Sequence, residues 1–173
     1  MQPAHAGSVN AICSQPQAAM IQFEVITHID APIQRVFDLS RDIGFHVRSL
    51  AHTGERAVAG RTEGLIAFGE SVTWQARHLG VRQRMTCKVV AFERPTYFRD
   101  EMQRGAFKAF GHDHRFDPLD GKTVMTDTVQ FSAPLGPLRW IAERVVLHRY
   151  LKRLISDRAD AIRREVEHVS ASR

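Results

Sequence analysis

The sequence predicts an α+β domain, an antiparallel sheet followed by one long helix. Three observations predict it. Between Glu55 and Phe131 only strand-like runs and turns occur. Leu138 to His168 carries apolar residues at spacings of three and four, the stripe of an amphipathic helix. One strand and two short helical segments precede the sheet run.

Length and composition bound the rest. A chain of 173 residues suits one domain with a sizeable core, and 43% hydrophobic with 25% charged residues is an ordinary globular balance. The formal net charge is +5. Many basic residues lie between Arg139 and Arg164, interleaved with Glu143, Asp157, Asp160 and Glu165. That is the solvated face of a helix rather than a nucleic-acid stripe, so no nucleic-acid partner is expected, and at most weak contact with an anionic membrane surface. No apolar run reaches the roughly 18 residues a membrane span needs, and no basic-then-apolar secretory leader opens the chain. The two cysteines, Cys13 in an expected tail and Cys87 in an expected strand, are not expected to pair, which fits a reduced, cytoplasmic setting.

In chain order, residues 1–19 are small and polar without a period and read as a flexible tail. The domain is expected over 20–169, with 170–173 as a C-terminal tail. Ile21 to Ile29 alternates Ile21, Phe23 and Val25 against Gln22 and Glu24, a strand. Asp30 is expected to cap a short helix, with Pro32 in its first turn and Ile33, Val36 and Phe37 facing inward. Asp42 is expected to cap a second, through about Leu50, which lays His46 and Arg48 across the mouth of whatever the sheet encloses. Strands follow at Glu55–Ala59, Leu65–His78 (Phe68, Val72 and Trp74 on one face, Glu70 nearer the rim), Val81–Phe92 and Thr96–Met102. Short connections make these antiparallel neighbours. Ser132 to Pro137 ends the sheet. A helix of about 30 residues follows, about 45 Å long and able to cross the whole sheet.

The informative stretch lies just before that end. Phe110, His112, His114 and Phe116 share one face of a strand. Asp117-Pro118-Leu119-Asp120-Gly121 reverses the chain, and Met125, Asp127, Val129 and Phe131 are expected on the same face of the return strand. Placing Asp100 opposite His112 puts Phe98 near His114. Across the other hairpin, His112 is expected near Asp127 and His114 near Met125. Same-face neighbours on adjacent strands stand about 5 Å apart, so Asp100, His112, His114 and Asp127 form one expected polar cluster in an apolar wall.

The element order is similar to that of the START-like, or SRPBCC, superfamily. The local wording resembles its polyketide cyclase/dehydrase-like bacterial members, which share the Bet v 1-like helix-grip fold. The residues that carry the resemblance are Ala31-Pro32 with Val36-Phe37-Asp38, Val72-Thr73-Trp74, Glu93-Arg94-Pro95 and Phe98-Arg99-Asp100. They continue with Gly105-Ala106-Phe107, His112-Asp113-His114-Arg115-Phe116, Thr126-Asp127, Pro134-Leu135-Gly136 and Arg149-Tyr150-Leu151. The match covers about residues 20 to 168. It implies a curved antiparallel sheet wrapped around the last helix, with an apolar cavity between them. It does not name one function, because the superfamily spans lipid carriers, quinone-binding chaperones, cyclases and hormone receptors.

The polar cluster has three readings. It is a satisfied hydrogen-bond network that fixes strand register. It is an acid–base or ligand-orienting site, a histidine between carboxylates acting on a polyketide-like carbonyl or hydroxyl. Or it is a mixed nitrogen–oxygen metal set, since His-x-His on a strand aims both imidazoles one way. No further clustered His or Cys supports the last, so neither metal nor cofactor is expected. Ligand contacts are expected from Trp74, Phe98, Phe110, His112, His114, Met125 and Phe131. Catalytic candidates are His112, His114, Asp127 and Asp100. Cys87 reads as core, and His148 and Tyr150 as helix residues facing the interior. The leading expectation is binding of a small apolar ligand (lipid, quinone or polyketide-like) as carrier, chaperone or sensor. The alternatives are a cyclase or dehydratase and a stress-related protein-interaction module. Phosphate-cradling loops, dinucleotide fingerprints and a Gly-x-Ser-x-Gly elbow are absent from the sequence.

Overall fold

The computed structural model of the protein describes residues 20–78, 80–132 and 140–171. The expected tail at 1–19, with Cys13, and most of the segment that ends the sheet lie outside the described residues. Seven strands, β1 (Ile21–Ile29), β2 (Arg56–Gly60), β3 (Ser71–His78), β4 (Val81–Glu93), β5 (Tyr97–Arg104), β6 (Ala109–Leu119) and β7 (Lys122–Ser132), form one sheet. Its order is β1-β7-β6-β5-β4-β3-β2, antiparallel throughout. Register shifts at Val89/Ala91 in the β4–β5 pair and at Ala57/Ala59 in the β2–β3 pair bend it. Two short helices, α1 (Ile33–Ser40) and α2 (Ile43–Ser49), follow β1, and α3 (Trp140–Ala171) crosses the sheet, packing on β1 and meeting both. This is the helix-grip α+β fold.

The alternation in β7 follows the pleat: Thr123, Met125, Asp127, Val129 and Phe131 are buried, and the residues between them are half-buried. Phe37 of α1 is the hub of the main core, edge-on to Phe92, Phe98 and Phe116 at 5.3–5.6 Å between ring centroids. Ala159, Ile162 and Val166 of α3 close that core, and Ile21, Phe23, Val129 and Phe131 form a second cluster nearer the start of the helix. Two long-range bonds pin α3: the Asp30 N–H donates to Glu167 Oε1 at 3.0 Å, and Arg158 donates to the Ser40 carbonyl at the end of α1.

Four expectations are corrected. Asp30 does not cap α1: Pro32 occupies that position without a side-chain bond, and Asp30 instead pairs with Lys122 at 3.0 Å. Asp42 does cap α2, accepting from the Phe45 N–H at 2.8 Å. The long strand expected from Leu65 begins only at Ser71, and Phe68 is 65% exposed in the preceding loop. Glu70 turns away from the interior to pair with Arg61 and accept from Ala67 N–H. The β6–β7 reversal is also tighter than the five-residue turn expected. The strands run to Leu119 and Lys122, and only Asp120 (φ 49°) and Gly121 (φ 80°) turn, a two-residue hairpin with both residues left-handed. That shifts the register by two: His114 faces Asp127, His112 faces Val129, and Phe116 rather than His114 faces Met125.

Replacing Phe37 with Ala removes the hub and should cost about 3–5 kcal/mol, read as a fall in the urea midpoint. Asp42→Ala should cost only about 1 kcal/mol; equal losses would deny Phe37 its central place.

Candidate functional site

A cavity of about 190 Å³ lies between the sheet and α3. Val72, Trp74, Met85, Val89 and Phe98 wall it from the sheet, Ile43 and Leu50 from α2 and its end, and Leu147, Leu151, Leu154 and Ile155 from α3. Trp74 is held by the His46 ring, stacked on it at 4.1 Å and 18°. The polar lining includes Asp100, His112, His114, His46, Glu55 and Arg158. These groups form one polar region, because the Asp100 charge reaches His46, His112, His114 and Arg158 alike.

The corrected register explains its geometry. Asp100 stands directly opposite His112 on β5, and Asp127 directly opposite His114 on β7. The bonds run diagonally as well. His112 Nε2 lies 2.9 Å from Asp127 Oδ1, and His114 Nε2 lies 3.2 Å from Asp100 Oδ2. His114 Nδ1 lies 2.8 Å from the same Asp127 oxygen, out of line for a hydrogen bond, so that contact is electrostatic. The two imidazoles are 3.8 Å apart between centroids, and Phe98 stacks on His114 at 4.1 Å.

Electrostatics separate the two rings. Burial disfavours charge on His114, but its contacts with Asp100 and Asp127 outweigh that and raise its pKa. Burial lowers the pKa of His112, and the neighbouring His114 lowers it further, opposite in direction to the shift of His114. Burial works against ionisation of Asp127, yet the bond from His112 and the close contact with His114 hold it far below the usual carboxylate range. Asp100 is lowered in the same way, burial being outweighed by His114 and then the charge of His112. Arg158 is 6% exposed, its pKa is lowered by burial, and its Nε has no hydrogen-bond partner.

Of the residues singled out in the sequence, Trp74, Phe98, Phe110, His112, His114 and Asp100 line the cavity. Asp127 sits behind the histidines. Met125 and Phe131 do not line it: Met125 is packed in the main core beside Ser40, and Phe131 against Phe107 in the second cluster. His46 lies inside rather than at the mouth, Arg48 lies over Phe45, and His148 meets Phe23 edge-on. Cys87 and Tyr150 line the cavity, and burial pushes both pKa values up. Glu55 and Arg158 were missed. Arg158 looks like one more charge on a basic helix; its place on the same face as Leu151, Leu154, Ile155 and Ile162 was the available signal.

Among the described residues no helix is long and apolar enough to cross a membrane. No curated protein sequence is significantly similar to the chain. Solved structures share the fold at low identity. TTHA0849 from Thermus thermophilus is 17% identical over 87% of this chain and 99% of its own, with a TM-score of 0.71. The Zhui aromatase/cyclase from Streptomyces sp. R1128 is 15% identical over 86% and 94%, TM-score 0.70. The di-domain ARO/CYC StfQ from the steffimycin biosynthetic pathway is 10% identical, TM-score 0.71, over 88% of this chain and 52% of its own. A family model described as polyketide cyclase / dehydrase and lipid transport matches residues 20–167. The chain therefore belongs to the polyketide cyclase / dehydrase and lipid transport family, within the SRPBCC superfamily.

Proposed function

We propose that the protein binds a compact, largely apolar molecule bearing one oxygen-containing end, as a carrier or sensor. The observation that carries this reading is a cavity walled by aliphatic and aromatic side chains whose polar groups gather around Asp100, His112 and His114. Its volume of about 190 Å³ exceeds the roughly 150 Å³ of an engineered apolar cavity that accepts benzene. That favours a ring system over a full-length lipid chain. Burial of apolar surface supplies the affinity, at about 25 cal/mol per Å² before ordering costs. The unpartnered Arg158 Nε and the imidazoles orient the oxygen.

One observation favours a second reading, acid–base catalysis on a polyketide-like substrate. The pKa values of two adjacent imidazoles are pushed in opposite directions, down for His112 and up for His114. A protein-interaction role has less support, because the exposed large hydrophobics of the described residues, such as Val58, Leu65 and Phe68, lie outside α1 and α2.

Native mass spectrometry of the purified protein should show a co-purifying small molecule or uptake of an added aromatic ketone. Trp74→Ala should weaken uptake about tenfold, the loss of about 60 Å² of apolar contact; unchanged affinity would remove the cavity from the account. His112→Gln and His114→Gln separate the two readings, since a carrier changes affinity modestly whereas an enzyme loses turnover and still binds. Stability should depend on pH through His114. Its raised pKa contributes stability that is fully present below the ordinary histidine value of about 6.5 and is lost as pH rises through the folded value. The stability gap between wild type and His114→Gln should therefore shrink from pH 6 towards alkaline pH in denaturant titrations.

A further inference from the structure

We infer that Asp100, His112 and His114 form a mononuclear site for a divalent transition-metal cation on the cavity wall, with Asp127 orienting the His112 imidazole. Ligand-type atoms of the three residues lie within 4.8 Å of one another. Donors placed about 2.1 Å from a common cation stand about 3.0–3.5 Å apart, and His114 Nε2 and Asp100 Oδ2 are already at 3.2 Å.

The outer contacts have the form such a site needs. A metal-binding imidazole normally presents its second nitrogen to a carboxylate, which fixes the tautomer and aims the lone pair. Here Asp127 Oδ1 holds His112 Nε2 by a hydrogen bond at 2.9 Å and stands 2.8 Å from His114 Nδ1 as an electrostatic contact only. The atoms left for a cation are His112 Nδ1, His114 Nε2 and an oxygen of Asp100. Asp127 Oδ1 is already taken up by His112 Nε2, which leaves Asp127 as the support.

Two imidazoles and one carboxylate suit zinc or ferrous iron, and the remaining coordination positions face the cavity. The expectation of no metal rested on the lack of further clustered His or Cys; the proposed set takes a carboxylate, Asp100 of β5, as its third ligand instead. This inference shares the imidazoles with the ligand-binding reading but does not require it.

The test is titration of chelator-treated full-length protein with Co²⁺, followed by visible absorption and by the thermal midpoint. One equivalent should bind at micromolar concentration, develop d–d bands and raise the midpoint. His112→Gln and His114→Gln should lose the bands and the midpoint rise while circular dichroism stays native. Asp127→Asn should keep the bands but weaken binding 10–100-fold, a shift that a merely structural Asp127 would not produce. No stoichiometric uptake by wild type, or equal uptake by a folded His114→Gln, overturns the site. Uptake of an aromatic ketone by metal-free protein is measured separately, so a failed metal site and a failed ligand cavity give different results.

Discussion

A carboxylate as deeply buried as that of Asp127 must be met by donors, and the interior of this protein is arranged around that demand. Ionised and unpaired, such a group would cost several kcal/mol. His112 and His114 meet it from the neighbouring strand, and His114 is in turn held by Asp100 from the strand beyond. Three adjacent strands are thereby tied together on their inner face by polar contacts, where the rest of the sheet relies on aliphatic and aromatic packing. A network satisfied in this way favours one register, since sliding any of the strands leaves a charge without its partner.

The long helix closes the arrangement. Arg158 reaches from it to the last carbonyl of α1, and Glu167 receives the N–H of Asp30, so the helix is anchored at both the cavity and the far edge of the core. The guanidinium lies among three carboxylates yet pairs tightly with none of them, its Nη2 being spent on Ser40. It acts as a fixed positive field over the polar region. The opposite pKa shifts of the two imidazoles follow from position: His114 has a carboxylate towards each nitrogen, whereas His112 has the His114 ring as its neighbour.

Much of this was legible in the sequence, because it depends on period. Alternation in β6 and β7 put both histidines and Asp127 on the buried face, and the stripe in α3 showed which surface meets the sheet. The β5–β6 pairing of Asp100 with His112 was read correctly, since Gly105 marks a reversal between them. The β6–β7 register was not, because Pro118 suggested a broad turn, whereas the left-handed pair Asp120–Gly121 makes the whole reversal alone. Periodicity is equally blind to loops. Phe68 matched the strand pattern but lies before the strand begins, where nothing covers it. Asp30 had the chemistry of a cap, but Lys122 holds it elsewhere. Arg158 and Glu55 come from distant parts of the chain, and only the closure of α3 over the sheet brings them into one cavity.

The Asp120–Gly121 reversal gives the site an unusual evolutionary exposure. Side chains in a strand alternate with an odd–even parity, and the parity of β7 relative to β6 is set by the length of this one turn. Inserting or deleting a single residue there, without touching any polar group of the cluster, would face Thr126 and Thr128 inward in place of Asp127. Descendants of this chain can vary the wall of the cavity freely, but an odd-length change in that hairpin would erase the buried carboxylate in one step. Turn length is thus as heritable a determinant of the interior chemistry as the identity of the residues themselves.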